Sequence, residues 1–175
     1  PGDISVKELV EVPSDFYPRK ESQGKRYSYV IHHEVSPPAL TREFVWWVKK
    51  SLDLKAMEEA IAYYAGEHDF SAFRGPNCTA DSPVKFIKYA NMSVKKLGKA
   101  NIITFDIMGS GFVRHMIRNM IGMLVMVGRG EFQPLDVKKA LDEKTCKNKL
   151  KAAASGLCLE EIFFDPDPFS VAYKS

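Results

Sequence analysis

The sequence lacks any recognisable metal cage or disulfide framework. Its three cysteines, Cys78, Cys146 and Cys158, are odd in number, widely spaced and form no CxxC pair. Free thiols in a reducing intracellular compartment are the expectation. Long apolar runs are also missing. The most hydrophobic stretch, FVRHMIRNMIGMLVMVG, is broken by Arg114, His115 and Arg118, short of the roughly 18 apolar residues a spanning helix needs, which predicts a water-soluble chain without a membrane segment. There is no P-loop, no HExxH and no GxSxG, and with them go the commonest signatures of nucleotide hydrolysis, zinc proteolysis and serine esterase chemistry. GSGF at Gly109 to Phe112 lacks the third glycine of a dinucleotide fingerprint. His32 and His33 are neighbours on a predicted strand and point to opposite faces, a poor metal pair. None of these patterns indicates a metal cage or a dinucleotide site. No internal repeat or low-complexity segment occurs. The chain opens PGDISV, with neither an initiating Met nor a signal-like leader, and is expected to be a fragment or processed product.

Excess charge is small: 25 Lys and Arg against 22 Asp and Glu give a formal net charge of +3. The distribution of cations, not their sum, has to carry any argument for a polyanionic partner. The 175 residues are 45% hydrophobic and 11% aromatic, enough for one domain with a core. Near-alternating patterns predict strands at Ile4 to Val12 and Lys25 to His33. Asp53 is placed to cap a helix running to Tyr64, with Leu54, Met57, Ile61 and Tyr64 on one face and Gly66 as the stop. GEHDFSAFRGPNCTADSP reads as a long irregular stretch, with Phe70 and Phe73 as core anchors. VKFIKYANMSVKK and ANIITFDIMGS read as a hairpin turning at Lys96 to Lys99. A long helix is predicted from Gly111 to about Val127, with Arg114 and Arg118 spaced i, i+4 on its non-apolar face. Pro134 opens a shorter helix to about Leu141. Leu157 to Phe164 forms a last strand, and the tail after Pro166 is irregular. This order predicts an α+β domain in which helices cover one face of a mostly antiparallel sheet.

Cations and aromatics concentrate in a few places: FYPR with KRY, HDFSAFR, and FVRHMIR. Arg and Lys neutralise phosphates and aromatic rings stack on exposed bases, the mixture used to hold unpaired nucleotides. Tyr27 and Tyr29 face one side of a strand, by default as core or half-buried tyrosines, with a stacking surface as the alternative. Arg114 and Arg118 fit a solvated helix face as well as a ligand site. From residues alone the reading is a basic-faced α+β domain with an RNA-binding option.

Taken in order, PGDI, DFYPR, KRYSY, GEHDFSAFRG, SPVK, GSGFVRHMIRNMIGMLVMVGRGE and SGLCLEEIFF resemble segments of the tRNA pseudouridine synthase A family across nearly the whole chain. The resemblance implies one half of a pseudouridine synthase fold, with residues 1–175 as a C-terminal RNA-binding domain. It implies isomerisation of uridine in tRNA to pseudouridine, without metal or organic cofactor. The family aspartate that acts on the ribose, as nucleophile at C1′ or base at C2′, belongs to a GRTD-type motif expected in an N-terminal domain outside this chain. Asp15, Asp69 and Asp106 lack that motif and receive no such role. The isolated chain is accordingly expected to be inactive.

By position, Tyr27 matches the family tyrosine that stacks on the target base and helps remove the C5 proton. Arg118 matches the arginine that pairs with the catalytic aspartate, and Leu157 the apolar residue that closes the pocket. RNA contacts are assigned to Arg19, Lys25, Arg26, Arg74, Arg114 and His115. Two departures stand out: Tyr17-Pro18-Arg19 replaces the common HAR, and Arg114 stands where a second histidine often precedes His115. Implied partners are tRNA, the N-terminal domain of the same enzyme, and a second copy in a homodimer. The competing reading is a non-catalytic RNA-binding module on the same scaffold. Retention of both Tyr27 and Arg118 favours the synthase, since a pure binder has no need to orient a carboxylate.

Overall fold

The computed structural model describes residues 2–146 and 150–169. A single helical turn, α1 (Pro18–Glu21), has Pro at its first position, where the missing N–H costs nothing. It leads into β1 (Ser22–His33), which starts three residues before the expected Lys25. The short β2 (Trp46–Val48) was not foreseen. The helix α2 (Leu54–Ile61) is capped by Asp53, whose Oδ1 accepts from the Ala56 N–H at 3.0 Å, and a 3₁₀ turn prolongs it to Tyr64. Next come β3 (Gly66–Asp69) and a second 3₁₀ turn over Phe70–Phe73. The hairpin β4 (Val84–Leu97) and β5 (Ala100–Gly109) turns at Gly98 with φ +61°, the left-handed conformation a two-residue hairpin favours. Then follow α3 (Met116–Gly128), α4 (Leu135–Asp142) and β6 (Leu157–Phe164).

The strands form one six-stranded sheet in the order β2-β1-β5-β4-β3. All pairings are antiparallel except β1 with β2. With β5 along one edge of β1, the other edge is shared in succession: β6 pairs with Ser22 to Tyr29 and β2 with Ile31 to His33. Alternation on β1 and β5 turns Tyr29, Ile31, Ile103, Phe105 and Ile107 inward. They meet Met57, Ile61, Met116, Met120 and Leu124 of the helices in one core. Fully burying such a side chain is worth about 1.5–3 kcal/mol. The result is an α+β fold with a mostly antiparallel sheet and helices against one face.

Four expectations need correction. Residues 4–12 form no strand; Ile4 is 68% and Leu9 89% exposed, because an alternating segment becomes a strand only when a neighbouring edge accepts its hydrogen bonds. The stretch from Gly66 is not irregular throughout. Its first four residues pair with β4 and the next four wind into the 3₁₀ turn, a non-local pairing that local pattern does not reveal. The long helix starts at Met116, not Gly111, and it is buried nearly all round rather than on one wide face. Consequently Arg114 precedes the helix and does not share a face with Arg118.

Candidate functional site

Tyr27 sits on the helix-side face of β1, between Ile107 of β5 and Leu159 of β6 in register. It is half-buried, and its ring meets Phe112 edge-on with centroids 5.2 Å apart. Burial pushes its phenol above the ordinary value, so the side chain is a neutral ring with an O–H donor. That favours stacking over proton abstraction, which would call for the phenolate that burial disfavours.

Arg118 projects from the first turn of α3. Its Nε donates to the Ala152 carbonyl at 2.7 Å, and the Ala152 N–H donates back to the Arg118 carbonyl at 3.0 Å. Next to this pair the Tyr29 hydroxyl donates to the Ala153 carbonyl at 2.7 Å. Tyr29 is raised strongly by burial, with the Arg118 charge opposing. The segment carrying Ala152 and Ala153 thus ties α3 to β1. It crosses the helix at Gly122, where a Cβ would lie 1.8 Å from the Leu150 carbonyl oxygen. Anchoring Nε fixes the plane of the guanidinium and leaves its terminal nitrogens as the fork that grips a carboxylate. Among the described residues no Asp or Glu pairs with Arg118. Leu157 opens β6 opposite Tyr29 and packs against the core. Tyr27, Arg118 and Leu157 therefore gather around Tyr29 on one side of the sheet.

The cations nominated for RNA divide into two groups. Arg19 and Lys25 line an open cleft of about 550 Å³ together with Tyr17, Lys20, Lys85 and Phe112. Arg19 and Arg114 line an adjoining cleft of about 340 Å³ with Asn77, Cys78 and Phe112. The structure brings these three together around Phe112. Arg26 is directed to the other face of the sheet, where it pairs with Asp106 at 3.7 Å and Glu161 at 3.6 Å. Arg74 is committed to its own loop, its Nη2 donating to the carbonyls of Cys78 at 2.7 Å and Ala80 at 2.8 Å.

His115 takes the N-cap of α3 in the left-handed conformation, φ +62°, an uncommon state for a non-glycine residue. Gly75 packs against it so closely that a Cβ there would meet the His115 Nδ1 at 2.7 Å. The Gly75 N–H donates to the Arg114 carbonyl at 2.7 Å, and the Arg114 guanidinium donates to the Asn77 carbonyl at 3.3 Å. The backbone before α3 thus bonds to the 74–78 loop instead of extending the helix. Desolvation, followed by the charges of Lys151, Arg114 and Arg118, lowers the His115 pKa. Cys78 is pulled down to about 7, first by the Ala80 N–H and then by that of Arg114, whose nitrogen lies 3.3 Å from Sγ.

Sequence reasoning passed over Tyr17, Lys20, Lys85 and Phe112 as site residues. The available signal was the FYPRK cluster itself, an aromatic flanked by two cations.

A family model described as tRNA pseudouridine synthase matches residues 60–165. The chain belongs to the tRNA pseudouridine synthase family. The chain is 39% identical over 165 residues to a tRNA pseudouridine synthase A of Clostridium kluyveri and 37% over 165 residues to one of Geotalea uraniireducens, covering 94% of this chain and 66% of each relative. Against that of Alcanivorax borkumensis it is 35% identical over 175 residues, covering 98% of this chain and 62% of the relative. The chain therefore spans just under two thirds of the length of these relatives. As a family member, it carries Arg118 and Leu157 inside the matched stretch and Tyr27 ahead of it.

Proposed function

We propose that this chain forms one wall of the active site of a tRNA pseudouridine synthase, binding tRNA and holding the uridine to be isomerised. In that reaction the C1′–N1 bond breaks and a C5–C1′ bond forms. The C5 proton leaves and N1 gains one, so composition is unchanged and no redox partner is needed. Tyr27 offers a stacking surface for the uracil, Leu157 excludes water from it, and Arg118 holds an ionised carboxylate that acts on the ribose. The cations around Phe112 neutralise phosphates on either side of the target.

The observation that carries this reading is the anchored Arg118. A guanidinium fixed through Nε by the Ala152 carbonyl at 2.7 Å is organised for a bidentate partner, which among the described residues the chain does not supply. We assign that partner to an aspartate outside these 175 residues. The competing reading as a pure RNA-binding module gives Arg118 no task.

In the enzyme that contains this chain, Arg118→Ala is expected to lower turnover by a hundredfold or more with tRNA affinity within threefold. Removing one partner of a buried charge-assisted pair costs about 3–5 kcal/mol. Turnover within threefold of wild type would reduce Arg118 to a structural cation and overturn the assignment.

A further inference from the structure

We infer that the cleft in front of Phe112 is a subsite for a nucleotide adjacent to the target uridine, with Tyr17 as the platform for its base. The inference rests on the reading of this chain as a tRNA-binding wall, and it adds a site and a ligand class to it. Tyr17 is 53% exposed, more than a ring needs merely to fill the surface. It stands just before the turn of α1 fixed by Pro18, with the Lys20 ammonium 5.6 Å from its ring centroid. A cation beside the ring holds its orientation and adds to its attraction for a base bearing a phosphate.

The remaining wall suits a nucleotide. Arg19, Lys20, Lys25 and Lys85 line the cleft against one carboxylate, Asp81. The Ser82 hydroxyl accepts from the Val84 N–H at 3.1 Å, and that of Ser110 from the Phe86 N–H at 3.2 Å. Each is thereby oriented with its proton still available to an acceptor. A volume of about 550 Å³ lies within the range of small-ligand sites.

The position relative to Tyr27 identifies which nucleotide. Lys25 and Tyr27 are two residues apart on one face of β1, about 7 Å along the strand. Phe112 touches Tyr27 at 5.2 Å and also lines the cleft, so it forms the partition between them. A base stacked at Tyr27 places its neighbour on the far side of Phe112, where Tyr17 stands. Stacking on an aromatic ring is sequence-tolerant, so the subsite would hold a flanking nucleotide without specifying it.

The test uses a short single-stranded RNA with one uridine beside 2-aminopurine, titrated with this chain and its variants. Tyr17→Ala is expected to weaken binding roughly tenfold and to remove the 2-aminopurine quenching, with the salt dependence unchanged. Tyr17→Phe should retain both, and Lys85→Ala should keep the quenching while lowering the salt slope by about one. An affinity within twofold and intact quenching in Tyr17→Ala overturn the subsite and leave the wider reading standing, as does loss of quenching in Tyr17→Phe. A wild-type chain that binds no RNA at low salt overturns both.

Discussion

A glycine inside a helix is normally a weak point, and replacing it with alanine stabilises by about 1 kcal/mol. Gly122 should do the opposite. Its Cβ would lie 1.8 Å from the Leu150 carbonyl oxygen and 2.9 Å from the carbonyl carbon, so the 150–152 segment must retreat by more than an ångström. Overpacking of this kind costs about 1–3 kcal/mol. The retreat also breaks the bond from Arg118 Nε to the Ala152 carbonyl and the return bond from the Ala152 N–H, each worth about 1 kcal/mol. After the gain in helix propensity, Gly122→Ala is expected to destabilise the chain by about 2–4 kcal/mol. In urea unfolding the midpoint should fall by about 1 M at unchanged slope. In the active enzyme the same substitution should lower turnover, because it unseats Arg118. A Gly122→Ala chain as stable as wild type, or more so, would refute the reasoning and mean that the crossing segment is free to move.

Two further outcomes follow from the titrating groups. His115 is held below its ordinary value of 6.5 by desolvation and by neighbouring cations, so on acidification the unfolded chain takes up the proton first. Its contribution to stability is present above about pH 6.5 and is lost as pH falls; His115→Gln should flatten the drop in urea midpoint between pH 7.5 and 5.5, and an unchanged drop would exclude His115 as its source. Cys78, drawn down to about 7, should be alkylated at pH 7 at least tenfold faster than Cys158, which burial and Glu160 push up. Bound tRNA should protect Cys78, since it lines the cleft with Arg19 and Arg114; equal rates for the two thiols, or no protection, would contradict that geometry.

The elements readable from sequence were those whose signals are local. Asp53 carries the N-cap of α2, Pro134 sits at the N-cap of α4, and Gly98 marks the hairpin turn. Alternation marked β1 as a strand, and apolar β-rich runs marked β4, β5 and β6. What failed depended on remote partners. The three residues of β2 become a strand only because β6 leaves the last part of that β1 edge open, and β3 exists through its pairing with β4. The helical period in the sequence runs back to Gly111, whereas Gly75 and Asn77 claim the Arg114 backbone and side chain for loop contacts. Tyr27, Arg118 and Leu157 of the candidate site come from the resemblance, and the structure sets them on one side of the sheet around Tyr29. Arg26 could not be separated from Lys25 on charge alone; strand alternation sends it to the opposite face, among Asp106 and Glu161.

The most direct test of the account is tritium release from tRNA carrying 5-tritiated uridine, measured with the purified 175-residue chain in excess over tRNA that a gel shift shows to be bound. The expected result is complex formation that weakens steeply with salt and no release of tritium, since in the proposed function Tyr27, Arg118 and Leu157 position a uridine whose ribose is acted on by an aspartate outside these residues. Release of tritium by this chain alone would place the catalytic carboxylate within it and contradict the account.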